Sequence, residues 1–230
     1  MERHFHEELE KLNTNLLKIA ALTEEAIHQS IEALQKRDKD LARSVIENDK
    51  VIDELENTID EETVGLLALF QPMARDLRFV MTGMKVATEL ERIADLTVNI
   101  SQRAIDLAGQ PVLKPLIDIP KLAENAKKMV HGAMDAFVKR DELLAEEVIV
   151  SDKVSNELRT LITQELINDY MMKDGSTVPR AVALLLVTRD LERISDCATA
   201  IAEDVIYMIK AKIVKHHLDQ LIFVYKKVKE

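Results

Sequence analysis

The chain contains itself twice. Residues 26–56 and 129–159 align without a gap at an offset of 103, and fourteen of the thirty-one positions are identical. The matches include His28 with His131, Lys36-Arg37-Asp38 with Lys139-Arg140-Asp141, and Asp49-Lys50-Val51 with Asp152-Lys153-Val154. A second shared stretch, Leu90-Glu91-Arg92-Ile93-Ala94-Asp95 and Leu191-Glu192-Arg193-Ile194-Ser195-Asp196, falls at an offset of 101, so the halves differ by two residues between their second and third elements. A duplication of this length requires each copy to build the same kind of unit. We expect one unit over residues 1–110 and a second over 111–230.

Periodicity says what that unit is. Leu9, Leu12, Leu16, Ile19, Thr23, Ala26, Ser30 and Ala33 alternate spacings of three and four, the seam of one long amphipathic helix. Asp38 is placed to cap a second helix with a seam of Leu41, Val45, Asn48, Ile52, Leu55, Ile59, Leu66 and Leu69, which Gln71-Pro72 should end. A third helix from about 73 to 108 points Leu90, Ile93, Thr97, Ile100, Ala104 and Leu107 inward, and Gly109 with Pro111 should stop it. The stretch 109–120, which holds Pro111, Pro115 and Pro120, reads as the link between the halves. The second half should then give helices near 119–139, 142–172 and 179–215, with an amphipathic piece from His216 to Lys229 that continues the sixth or packs back on it. Only 3% of residues are aromatic, and Gly and Pro number five each, which is helical-bundle composition. The fold class predicted is all-α, two tandem three-helix bundles. Gly65 and Gly83 interrupt helices and would permit close helix approach.

Charge narrows the partners. A net charge of -10 argues against a nucleic-acid backbone, whose usual recognition footprint is basic, and suits a cation or a basic protein surface. The N-terminal residues hold no apolar run that could serve as a signal peptide, and the longest apolar run, 181–187, is far short of a membrane span. The chain is expected to be soluble and cytoplasmic. Cys197 is the only cysteine, which leaves no intramolecular disulfide and no thiolate zinc cluster, and it reads as a small core residue.

The candidate chemistry lies in acids four residues apart. About 400° of rotation and roughly 6 Å of rise place Glu91 with Asp95, and Glu192 with Asp196, on one helix face, well away from the inward stripe. Asp49 and Asp53 have the same spacing on the second helix, and Asp152 with Asn156 on the fifth. Like charges so placed cost a helix a few tenths of a kcal/mol, so their recurrence in both repeats asks for a cation. If the carrying helices pack antiparallel, the pairs face each other and offer oxygen ligands to Fe, Mn, Mg or Zn. Asn99 would add a carbonyl in the first half, where its counterpart is Ala200. The second site is one carboxylate poorer. The plain alternative is the solvated face of an acidic bundle.

Catalysis has less support. The two Glu-x-x-His pairs directed into the core that a ferritin-like di-iron oxidase needs are not present. No glycine-rich phosphate loop, nucleophile elbow or triad is visible, and we assign no catalytic and no organic-cofactor residues. His28 and His131 read as structural or surface residues, and Arg92 and Arg193 as partners for nearby acids.

Across its whole length the chain resembles the PhoU-type phosphate-uptake regulators. The resemblance is carried by the duplication, by Gln71-Pro72-Met73-Ala74-Arg75-Asp76-Leu77-Arg78, which is similar to that family's helix-joining segment, and by the two Leu-Glu-Arg-Ile motifs. It implies two three-helix bundles and multinuclear metal clusters, iron first, at the Glu/Asp-x-x-x-Asp motifs. It also implies action with a phosphate ABC transporter ATPase and a sensor histidine kinase to repress the phosphate-starvation response. Asn156 stands where the family has an acid, Ala94 and Ser195 where it often has Gly, and Cys197 where it often has His. We therefore expect a non-enzymatic, metal-binding homodimer that regulates phosphate uptake. A carboxylate-bridged metalloenzyme and a purely structural helical spacer are the alternatives.

Overall fold

The computed structural model describes residues 2–213; the expected segment 216–229 lies outside the described residues, and the sixth helix, expected to reach 215, ends at Lys210, where Ala211 takes a left-handed φ of 54°. Six long helices carry the fold: α1 (Glu2–Lys36), α2 (Lys39–Phe70), α3 (Ala74–Ala108), α4 (Asp118–Lys139), α5 (Glu142–Glu165) and α6 (Val178–Lys210). Among the described residues there is no strand, and no helix is long and apolar enough to cross a membrane. Helices α1, α2 and α3 pack on one another as one bundle, and α4, α5 and α6 as its copy.

The repeated Lys-Arg-Asp sequence makes the same corner twice. Arg37 and Arg140 end α1 and α4 with left-handed φ of 58° and 53°. Asp38 and Asp141 then cap the next helix: Asp38 accepts from the Asp40 and Leu41 amides, and Asp141 from those of Leu143 and Leu144. Gly109 does not stop α3 through a left-handed turn, as its sequence position predicts. It sits at φ -82° and ψ -5°, while the left-handed positions are taken by Arg37, Gln71, Ala74, Arg140 and Ala211. The α2–α3 corner carries two of them, Gln71 and Ala74, on either side of Pro72 and Met73.

The inward seams bury as their spacing requires, with Leu12, Leu16, Ile19, Leu90, Ile93 and Ile100 fully inside. Two expected seam members do not. Asn48 is exposed and Asp49 half-buried, and Leu69 is 75% exposed. The seam runs Val45, Asp49, Ile52, Ile59, Thr63, Leu66, Phe70, so Asn48 and Leu69 each fall one position off it. On α3 burial extends beyond the expected stripe to Leu96, on the side that carries Lys85 and Arg103, because α3 also packs antiparallel on α6.

The halves share a core. Helices α1, α3, α6 and α4 close a central ring, with α2 and α5 as outer flanks, and the buried apolar residues of both repeats form one cluster. Phe79 on α3 stacks on Phe137 on α4 with centroids 5.2 Å apart. Gly83 makes room for this junction: a Cβ there would lie 3.0 Å from Leu16 Cδ1 and 3.9 Å from Phe137, whereas nothing approaches Gly65. Arg103 on α3 pairs with Asp190 on α6, which is only 1% exposed, and Lys85 pairs with Asp204 at 3.1 Å.

The fifth helix departs from expectation near its end. It is α-helical to Glu165, then opens into a π-turn over Leu166–Met171, followed by a short 3-10 segment, Gly175–Thr177, capped by Asp174. A π-turn absorbs an extra residue within a helix. The second half is two residues shorter than the first over this stretch, so the π-turn is a local feature of α5 and does not account for the offset.

Candidate metal centre

Helices α2 and α3 are neighbours in a tight antiparallel hairpin, and the hairpin brings their acids together. Asp49 is half-buried because it occupies a seam position, and burial, reinforced by Asp53 and Asp95, pushes its carboxyl up to about 6. Burial likewise pushes Glu91 up to about 7, with Asp95, Glu56, Asp53 and Asp49 adding repulsion. Five carboxylates thus share one patch: Asp49, Asp53 and Glu56 from α2, Glu91 and Asp95 from α3. Among the described residues none of the five lies in an ion pair.

The second half repeats the patch with different charges. Burial raises the Asp152 carboxyl, with Glu192 adding to it and a hydrogen bond from Asn156 opposing it. Asp196 is pushed up to about 6 by burial, then by Glu192 and Asp152, against Arg159 and Arg193. Asn156 donates to Asp152 Oδ2 at 2.8 Å, and Arg159 lies 3.4 Å from Glu192. Thus Asn156 is tied to its neighbour and Glu192 already has a cation. Asp152 Oδ1 is buried with no hydrogen-bond partner among the described residues.

The acids expected from sequence do come together in both halves, but that expectation misses Glu56 and Arg159. The signal for both lies in the repeat: Glu56 follows Asp53 by three residues, continuing the stripe of Asp49 and Asp53, and at an offset of 103 its counterpart is Arg159. Asn99 lies one turn beyond Asp95, half-buried, and its side chain makes no hydrogen bond among the described residues.

A metal ion fits these groups by chemistry. The donors are hard oxygens on one exposed groove in each half, their repulsion has no counter-ion in the first half, and Asp152 carries an unpaired buried oxygen. As the side chains stand, no three His, Cys, Asp or Glu groups among the described residues converge closely enough to hold an ion. Rotation of the acid side chains across the groove is what binding would require. Asp49, Asp53, Glu56, Glu91 and Asp95 would hold it in the first half, and Asp152, Glu192 and Asp196 in the second.

The remaining candidates are structural. His131 lies 3.1 Å from Glu24, tying α4 to α1, and His28 is exposed. Glu25 and His28 have Glu-x-x-His spacing, but both side chains face solvent. Arg92 pairs with Glu89 on its own helix. Cys197 is buried, and burial with the neighbouring Glu89 carboxylate pushes its thiol up to about 12, which makes it unreactive.

A helical protein made of two copies of one bundle, each with an acidic groove between its second and third helices, has a known counterpart. The PhoU domain family model matches residues 16–104 and 119–205. The chain is 40% identical over 209 residues to the phosphate-specific transport system accessory protein PhoU homolog of Aquifex aeolicus, covering 91% of this chain and 94% of that one. It is 33% identical over 222 residues to the accessory protein PhoU of Escherichia coli, covering 95% and 92%. The crystal structure of PhoU from Pseudomonas aeruginosa superposes with a TM-score of 0.87 at 35% identity, over 90% of this chain and 100% of that one. The chain belongs to the PhoU family.

Proposed function

We propose that this protein is a non-enzymatic accessory regulator of phosphate transport that works by contact with other proteins. The observation that carries the reading is full-length membership of a family whose relatives are named as accessory proteins of phosphate-specific transport systems. The structure is in keeping with it in what the site offers: carboxylates from two packed helices on one exposed groove in each half. We further assign to the two acidic grooves the binding of a multinuclear metal centre, iron first, with zinc, manganese or magnesium as alternatives. Bound metal would neutralise each groove and turn it into a rigid contact surface. The partners are a phosphate ABC transporter ATPase and a sensor histidine kinase, the active form is a homodimer, and the setting is cytoplasmic.

The test is capture with tagged full-length protein at high and low phosphate, with parallel metal analysis of an anaerobic preparation. Retention of the transporter ATPase and the kinase, dependent on phosphate and on bound metal, is the expected result. Redox or hydrolytic turnover above that of free metal would favour a carboxylate-bridged enzyme instead. Loss of neither partner on metal removal would confine the metal to a structural role.

A further inference from the structure

The two halves close their ends with different arginines, and the difference leaves a basic cleft. In the first half Arg37 donates to the carbonyl oxygens of Ala108, at 3.0 Å, and Gln110, so it satisfies the C-terminus of α3. Arg180, near the start of α6, donates to the Pro111 carbonyl at 3.3 Å. Both cations are thereby committed to the backbone leading from α3 to α4.

The repeat counterpart of Arg37 is Arg140, and it is used otherwise. Its guanidinium lies over the Phe79 ring, 5.0 Å from the centroid, and Phe79 is itself held against Phe137. The carbonyl at the end of α6 is served instead by Arg78, whose Nε donates to Met208 O at 3.0 Å. Arg75, one turn earlier on α3, completes the set. Arg75, Arg78 and Arg140 line one cleft with Phe79, Met208 and Ile209, a cavity of about 110 Å³. Among the described residues none of the three forms an ion pair, in a chain whose net charge is -10.

Guanidinium groups only donate and do not lose their proton, so three of them around one cleft present a donor surface without an acceptor. Two are held in place before any ligand arrives, Arg78 by the Met208 carbonyl and Arg140 by the Phe79 ring. The cleft lies beside the first turn of α3, whose N-cap residue Met73 gives no side-chain cap, and Asp76 in that turn does not line it. The cavity is small, which suits one oxyanion at its floor.

We propose that this cleft binds a small tetrahedral oxyanion, with free orthophosphate as the ligand its size favours and the terminal phosphate of a nucleotide as the other source of the same chemistry. The site stands apart from the acidic grooves and does not rest on the metal reading. It would give the protein its own response to phosphate concentration.

The test is calorimetric titration of the full chain, stripped of metal and dialysed free of chelator, with orthophosphate, sulfate and ATP. Orthophosphate and sulfate are expected to bind saturably and compete, because a site made only of donors does not tell them apart. The Arg75→Gln/Arg140→Gln variant, checked for helicity and thermal unfolding, is expected to weaken orthophosphate at least about tenfold, while Arg37→Gln leaves affinity within about twofold. ATP binding more than about tenfold tighter than orthophosphate would assign the ligand to a nucleotide phosphate. No saturable binding of any of the three below roughly 10 mM, or binding unchanged in the folded double variant, would overturn the proposal and leave the metal assignment untouched.

Discussion

Arg159 on α5 lies 3.4 Å from Glu192 on α6, in the register position where the first half sets Glu56 near Glu91. One substitution between repeats therefore turns a fifth carboxylate into a resident cation. The grooves should differ in metal affinity, the first binding more tightly. Glu56→Arg is expected to weaken metal at the first groove about tenfold, and Arg159→Glu to strengthen it at the second. Metal titration of each variant checks the order, and tighter binding by the second groove of the unmodified protein would sink it.

A different separation is expected when the motif acids themselves are replaced. Glu91 and Glu192 are half-buried, Asp95 and Asp196 are exposed, and none fills the core. Changing all four to Ala or Asn should leave no cavity, and each change should alter stability by less than about 0.5 kcal/mol. Thermal unfolding, metal content and repression of phosphate-starvation genes in cells lacking the native protein test this together. A stable, metal-free variant that represses normally would place the regulatory surface elsewhere.

The raised carboxyls also set a pH dependence. Asp49, Glu91 and Asp196 hold their protons more tightly in the fold, at about 6, 7 and 6, than in the unfolded chain, where such groups titrate near 4. The folded state thus binds more protons across that interval, and stability should fall as pH rises from about 4 to 7. Melting temperatures of metal-free protein measured between pH 5 and pH 8 should decline, each at a fixed salt concentration. A bound divalent cation should remove most of the decline.

Much of the fold is legible in the residues alone. The three-four spacing of apolar residues places all six helices, and the repeated Lys-Arg-Asp places two corners, because capping chemistry is local. Less legible are features set by neighbours distant in sequence. Leu96 is buried on the side of α3 that carries Lys85 and Arg103 to α6, and nothing in α3 alone announces a second buried face. Asn48 and Leu69 sit one position from the true seam, an error that periodicity permits wherever Asp49 or Thr63 substitutes a polar group for an apolar one. The two-residue offset says that the second repeat is shorter between its second and third helices, but not whether a loop or a helix gives up the residues, and it does not announce the π-turn after Glu165. At the candidate site the four-residue spacing pairs the acids along each helix, whereas the facing of Glu56 on Glu91 and of Arg159 on Glu192 depends on how two helices pack.

The buried serine pair offers a test of how the repeats diverged. Ser155 and Ser195 share a 2.7 Å hydrogen bond between α5 and α6, where the first half has Ile52 and Ala94. Ser195→Ala should cost about 1 kcal/mol, since Ser155 keeps Asn125 as a donor but is left with only the Met129 sulfur as acceptor. The Ser155→Ile/Ser195→Ala double variant, which rebuilds the first half's pair, should recover part of that loss. Denaturant unfolding of the three proteins would show it, and a double variant less stable than the single one would contradict it.

The contact of Arg103 with the buried Asp190 is expected to be the costliest single loss. Arg103→Ala leaves Asp190 with only Arg189, at 3.3 Å, and should destabilise by about 3 kcal/mol or more. Adding Asp190→Asn should return most of it, because the stranded charge is then removed. Urea unfolding of the two variants measures the difference.

The ion pairs across α3 and α6 also bear on ancestry. At the repeat offset of 101, Asp190 corresponds to Glu89 and Asp204 to Arg103. Two copies of the first half, meeting as α3 and α6 meet here, would set Arg103 against Glu89, an opposite charge, and against Lys85, a like charge near the surface. Two copies of the second half would set Asp190 against Asp204 and bury like charges together. The second repeat thus carries, in Asp190 and Asp204, charges that its fused sibling answers and a twin would not.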